Sequence, residues 1–367
     1  MKRILVTVLR STRLFCAFIC CVVLSITVTN AYAQTDNWNG GYGNWSNPGN
    51  WSQSVVPSLA TDTTIYNPSG GYDSVTLDTL GFAKSLTLGG PYGFNASLTD
   101  GGVPQVLTIA NSLIVGGRTG NLDPYGGTAI TAGADSSNAG YIQLRNGSSL
   151  SIMGNLDNSL VLAMYGGSAL NVTGMLTNEP GGSFYLAGSG DTSTIGALLN
   201  YGGSQVNTRA ALTLANRVDN FADITLNGTM VTGTGTATGP GYFQFANGTL
   251  GEHISMSQFG VIVVGANSVV DLNGTLDIQL ASGFNPAIGS SYDIITFTSG
   301  DLTGTFSSIL NGTFNNGTEK WVVIYNNSSG SVELLAQSNV STVPEASSFI
   351  LLGTSLVGLS YGLRRRT

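Results

Sequence analysis

NGSSLSIMGNLDNSLVLAMYGGSALNV, residues 146–172, decides the fold of this 367-residue chain. Ser149-Leu150-Ser151-Ile152 alternates polar and aliphatic residues, and Ala169-Leu170-Asn171-Val172 does so again 20 residues later. A period of two with aliphatics on one side is the mark of a half-buried strand. Asn146-Gly147 and Gly166-Gly167 introduce the two runs, and such pairs punctuate chains at turns. Further out, Ser85–Leu88, Tyr141–Leu144, Asp223–Leu226 and Gly274–Ile278 alternate in the same way. GGSFY at Gly181, GGSQV at Gly202 and FADITL at Phe221 continue the series, so that the openings from Asn146 onward are spaced by 20, 15, 21 and 19 residues. No segment between the two ends of the chain has helical periodicity.

A repeat near 20 residues, too short to bury an apolar face alone, predicts a solenoid in which each coil is completed by its neighbours. The expected fold is all-β: a right-handed parallel β-helix with capping β elements. A β-sandwich or two stacked β domains is the alternative. About ten coils at the strand spacing of about 4.8 Å give a rod of roughly 50 Å. Inward aliphatics should form columns, with Asn, Ser and Thr outside or at the corners. Asn-Gly occurs seven times, often before Ser or Thr. Both residues tolerate positive φ, so the pair reads as a corner rather than as a glycosylation sequon.

The first 33 residues read as a secretion signal. Lys2, Arg3, Arg10 and Arg13 precede an apolar run from Leu14 to Val28, and Ala31-Tyr32-Ala33 is a small-x-small cleavage site, placing Gln34 at the new N-terminus. All three cysteines lie inside that apolar run, so a processed chain has no thiol chemistry. The chain carries 13 basic and 20 acidic residues; seven of the basic ones but only Glu345 among the acids fall in residues 1–33 and 344–367. The body between them therefore holds six basic residues against 19 acidic ones, which argues against a nucleic-acid partner.

A solenoid must cap its open ends. Residues 34–66 repeat Asn-Trp, placing Trp38, Trp45 and Trp51 close together. Large rings there plug the first coil or, alternatively, form a glycan-contacting platform. Residues 67–280 are assigned to the coils and 281–338 to a closing antiparallel unit, in which Tyr292–Phe297, Trp321–Tyr325 and Ser331–Leu335 pair. GNWSNPGNWS (43–52), GFNPAIGSSYDII (283–295) and WVVIY (321–325) resemble the β-helical passenger regions of autotransporter-type surface proteins. That resemblance implies the fold, not the export route.

After a short linker, 339–343, the chain ends in VPEASSFILLGTSLVGLSYGLRRRT. Val343, Pro344 and Glu345 lead into an uncharged apolar run, Phe349–Leu363, closed by Arg364, Arg365 and Arg366. Pro344 to Leu363 spans about 30 Å as a helix, enough to cross a bilayer, and the arginines would stay cytoplasmic. This transmembrane segment resembles the PEP-CTERM sorting signal of bacterial envelope proteins, over residues 344–367. Ala346 departs from the usual second proline. The resemblance implies an exosortase as processing partner, transient anchoring in the inner membrane, and delivery to the envelope, outer surface or an exopolysaccharide-rich matrix. An ordinary permanent anchor is the alternative.

Candidates for chemistry are few. The single histidine, His253, follows Glu252, too little for a His- or Cys-based metal site. Arg217 with Asp219 and Asp223, and Asp271 with Asp277, are the acidic pairs that even spacing would put on one strand face if their segments were continuous. A polysaccharide lyase or hydrolase would need such carboxylates. LAGSGDTST around Asp191 is a single Gly-Asp turn, and MVTGTGTATG (230–239) a single Thr-Gly row. No catalytic, cofactor or metal residue is assigned. The expectation is a non-catalytic matrix or adhesion protein, with envelope polysaccharide as a partner.

Overall fold

The computed structural model describes residues 34–66, 71–90, 95–188, 190–234 and 239–339. Ala31, Ala33 and the sorting residues Val343, Pro344, Glu345, Arg364, Arg365 and Arg366 lie outside them; Gln34 begins the first strand, Gln34–Asn37. The alternating runs are strands, stacked in parallel as a β-solenoid of about ten turns. Among the described residues there is no α-helix, only two 3-10 turns, Pro48–Asn50 and Asn315–Gly317.

Each turn has three faces. Ala129–Ala132 lies on the first, Ser136–Asn138 on the second and Tyr141–Arg145 on the third, and Ser149–Ile152 returns to the first one layer on. Register partners on the first face are 20 residues apart at Ala129↔Ser149 and Ser149↔Ala169, 18 at Leu212↔Met230 and 32 at Thr229↔Val261. The spacing of 15 in the sequence has a geometric cause. Gly166-Gly167 precedes Ala169–Asn178, which starts on the first face and turns onto the second, whereas Gly181-Gly182 precedes the third-face strand Ser183–Leu186. The same turn chemistry serves two corners. Only Asn146-Gly147 and Asn316-Gly317 of the seven Asn-Gly pairs have both residues at positive φ.

Alternation becomes a stacked core. Ile142, Leu162, Phe184, Val206, Ile224, Leu250 and Leu276 occupy one in-register inward column, all buried. Burial of each such side chain contributes about 1.5–3 kcal/mol, gained only when the adjacent coil is present.

The corner between the second and third faces holds a feature the sequence concealed. Asn138, Asn158, Asn178, Asn200, Asn220 and Gln244 stack one per coil, fully or almost fully buried. Each Nδ2 donates to the next amide oxygen, at 2.7, 2.8, 3.0, 3.0 and 3.2 Å. Each also donates to a main-chain carbonyl where the third face begins, for example Asn138 to Val161 at 2.8 Å and Asn178 to Gln205 at 2.9 Å. Just outside this ladder Tyr201, Phe221 and Phe245 stack, with Phe221 and Phe245 centroids 3.7 Å apart.

Gln34–Asn37 is already part of the solenoid, because it pairs in parallel with Thr61–Ile65. The N-terminal plug is the segment between those strands, not the whole of 34–66. Trp38, Trp45 and Trp51 are 4 %, 0 % and 0 % exposed, and their rings meet edge to face at centroid distances of 5.0 Å. Trp51 Nε1 donates to the Trp45 carbonyl at 2.9 Å. At the other end the parallel stacking runs beyond residue 280, through Ser291–Thr296, Leu302–Gly304 and Ser308–Leu310. The aromatic-rich runs looked like a departure from the coils, yet the first of them is also the last full layer. Ser291–Thr296 pairs in parallel with Val261–Val264 and antiparallel with Ser331–Ser338, which pairs in turn with Glu319–Asn326. Tyr292, Phe314 and Trp321 pack beneath this closing sheet.

Candidate functional site

The third face is a 12-stranded parallel ladder from Tyr42–Asn44 to Ser308–Leu310. Its inward residues fill the core, so alternation leaves the others pointing to solvent. One outward column runs in register from Tyr42 through Ser97, Asn121, Tyr141, Gln205 and Asp223 to Ser308. All its members except Val161 carry a hydroxyl, amide or carboxyl group. Beside it runs a second column, Gln143, Ala163, Tyr185, Asn207, Thr225, Gly251, Asp277 and Leu310.

Among the described residues, three grooves lie along this surface. A groove of about 250 Å³ near the N-terminal end is lined by Tyr72, Tyr141, Asn121, Gln143 and Arg118. Tyr42, 79 % exposed, extends it: its ring lies 5.7 Å from that of Tyr72. A central groove of about 300 Å³ is bordered by Tyr185, Asn207 and Arg209. The third, about 320 Å³, shares Asn207 and adds Gln205, Asp223, Thr225, Asp277 and Gln279. Its floor is low because Gly251 sits between Thr225 and Asp277, where an added Cβ would lie 2.9 Å from Thr225 Oγ1.

Charge on this face is sparse and unevenly placed. Arg145 Nε approaches Asp123 Oδ1 at 3.0 Å without hydrogen-bond alignment, and its guanidinium lies 5.8 Å from the Tyr165 ring centroid. Burial holds the Asp123 carboxyl above its ordinary range, with Arg145 opposing and Asp100 reinforcing that shift. Asp277 accepts from Gln279 Nε2 at 2.7 Å and from Asn311 Nδ2 at 2.6 Å.

Neither acidic pairing expected from spacing forms. Asp219 lies on the second face, with Arg217 Nη2 3.0 Å from its Oδ2, whereas Asp223 lies on the third. Asp271 and Asp277 are likewise divided by the corner at Asn273-Gly274. Even spacing puts two residues on one face only within a single strand, and a corner resets the phase. The structure instead brings Asp223 and Asp277 into one groove, a pairing visible only once coil register is known. Glu252 and His253 point to opposite sides of their strand, Glu252 into the core and His253 outward beside Gln279. Asp191 is buried, its carboxylate accepting from the main-chain nitrogens of Ser168 and Gly188. Thr232, in the Thr-Gly row, is buried and donates to the Gly241 carbonyl at 2.7 Å. The rings of Trp38, Trp45 and Trp51 are buried inside the plug, which does not fit the alternative of a glycan-contacting platform there; the exposed rings belong to tyrosines.

Among the described residues no group of three or more His, Cys, Asp or Glu could hold a metal ion, and no helix is long and apolar enough to cross a membrane. No protein-family model matches the chain, and no curated protein matches it.

Proposed function

We propose that this chain is an exported, non-catalytic structural or adhesion protein of the cell envelope or extracellular matrix, whose third face binds glycans. The observation that carries the reading is the run of grooves along one face, lined by amides, hydroxyls and carboxylates, two of them edged by tyrosine rings. Sugars are held by such groups: rings stack on their apolar faces, and short polar side chains meet their hydroxyls. A winding in the right-handed sense accords with the strong chiral preference of parallel crossovers.

Delivery rests on the tail. Pro344-Glu345, the apolar run and Arg364-Arg365-Arg366 support sorting by an exosortase, with the membrane as a temporary stop. Mass spectrometry of the C-terminus from cells should show it shortened near Pro344, while the intact tail would indicate a permanent anchor. Replacing the three arginines by glutamine should leave the chain unprocessed and mislocalised; unchanged processing and placement would overturn the sorting reading.

Binding is tested by titrating the purified chain with neutral and acidic oligosaccharides. Tyr141→Ala should weaken binding about tenfold, the loss of one stacking contact. No binding to any glycan would overturn this part of the proposal. The shared groove of Asp223 and Asp277 favours a second reading, a polysaccharide hydrolase, supported only if chain cleavage is detected and is lost in Asp223→Ala.

A further inference from the structure

The three grooves differ in charge. Arg118 stands in the N-terminal groove with Tyr72 and Tyr141, and Arg209 in the central one with Tyr185. No basic residue lines the third, which holds Asp223 and Asp277. Among the described residues neither carboxylate takes part in an ion pair. The Asp223 side chain is exposed, whereas Asp277 is held in place by the amide nitrogens of Gln279 and Asn311. Amide donors fix a carboxylate's direction without cancelling its charge.

Position adds to chemistry. Asp223 and Asp277 lie two coils apart along the axis, roughly 10 Å, and two residues apart across the strands, roughly 7 Å. Their carboxylates therefore face the groove from opposite corners, with Thr249 and the Gly251 floor on the coil between them. A cationic group on alternate sugars of an extended chain could meet one carboxylate and then the other, while Thr249 faces the hydroxyls between and Gln205 and Asn207 those on the coil before Asp223. An anionic sugar would meet uncompensated negative charge. Neither Arg209, in the adjoining groove, nor His253, outward beside Gln279, lines this groove.

We infer that the third groove selects polysaccharide whose sugars carry free primary ammonium groups, as in a de-N-acetylated hexosamine polymer, over the N-acetylated and uronate forms. The inference rests on the glycan-binding reading above and gives that surface its chemical class. Charge-assisted hydrogen bonds from ammonium to carboxylate supply the discrimination, and the repulsion of uronates supplies its other half.

The test is titration calorimetry of the full chain at mildly acidic pH and low salt with glucosamine hexamer, N-acetylglucosamine hexamer and a galacturonate oligomer. Glucosamine hexamer should bind about tenfold tighter than its N-acetylated form. Added salt should shrink that ratio, and Asp223→Asn/Asp277→Asn should abolish it. Near-isosteric amides leave the coils intact, which an unchanged circular dichroism melt verifies. Equal affinity for the two hexamers, or a preference that survives in the double variant, overturns the inference while leaving glycan binding in place. Failure of all three sugars to bind overturns the inference together with the reading beneath it.

Discussion

Asn178→Ala is expected to destabilise the solenoid by about 3–5 kcal/mol, although it removes only a small amide. Asn178 Nδ2 donates to Asn200 Oδ1 at 3.0 Å and to the Gln205 carbonyl at 2.9 Å, and its oxygen accepts from Asn158 at 2.8 Å. Truncation leaves Asn158 Nδ2 with only the Ser183 carbonyl, and Asn200 Oδ1 with only the Ser204 hydroxyl. The Gln205 carbonyl loses its amide partner altogether. Each buried polar group deprived of a partner costs about 1–3 kcal/mol, more than the net gain from an average hydrogen bond. Asn138→Ala, at the start of the ladder, interrupts the chain of amides on one side only and should cost about half as much.

The readout must respect the architecture. A stack of coils coupled to nearest neighbours need not unfold in one step. Hydrogen exchange should therefore accompany the denaturation midpoint. In Asn178→Ala the amides of Ala169–Asn178, Thr192–Asn200 and Gln205–Thr208 should lose protection before those of the Trp plug or the closing sheet. A loss under about 1 kcal/mol, or equal loss at the end and middle of the ladder, would show that the amides act as independent fillers.

How this ladder escaped the sequence is instructive. Alternating Leu, Ile and Val exposed the strands, because one-sided burial leaves a local pattern of period two. The number of faces per coil and the partner of each strand are not local properties. Asn138, Asn158, Asn178, Asn200 and Asn220 recur at 20, 20, 22 and 20 residues, so the period was present in the chain. It was masked by the many other asparagines, whose usual place is a turn. For the same reason Asp223 looked like a partner of Asp219, four residues away, rather than of Asp277, more than 50 residues on. The Trp plug was legible because three identical dipeptides stand out; the Tyr42, Tyr72 and Tyr141 rings are scattered through three coils and become neighbours only by stacking.

The second large effect concerns Glu252. It follows Leu226 and precedes Ile278 in an inward column, is 0 % exposed, and neither carboxyl oxygen has a hydrogen-bond partner. Gly260 approaches so closely that a Cβ there would lie 2.3 Å from Oε2. Burial pushes this carboxyl well above its ordinary value of 4.5, which favours its neutral form in the folded chain. Tyr242, also buried, is the acidic group coupled to it, and its phenol is pushed upward as well. In the unfolded chain Glu252 ionises near its ordinary value. Between that value and the raised folded one, the unfolded state binds fewer protons than the folded state. The linkage sign is therefore negative: stability is greatest in acid and falls by about 1.4 kcal/mol per pH unit as pH rises through this window. Asp73, Asp123 and Asp219, raised chiefly by burial, act in the same direction, and Asp62, lowered chiefly by its hydrogen bond from Ser85, acts in the opposite one. Those contributions persist in a Glu252 variant, so the difference between two stability–pH curves isolates Glu252. Glu252→Leu, matching the flanking Leu226 and Ile278, should raise stability in mild acid by about 1–3 kcal/mol, the cost of burying an unpartnered polar group, and by more than that at neutral pH, where the linkage loss adds to it. It should also remove the descending slope. Glu252→Gln should remove the slope while leaving a buried unpartnered amide, and so separates the charge effect from the packing effect. If the wild-type and Glu252→Leu curves run parallel from mild acid to neutrality, the carboxyl is ionised and solvated in the folded chain, and the column at this coil is open to water.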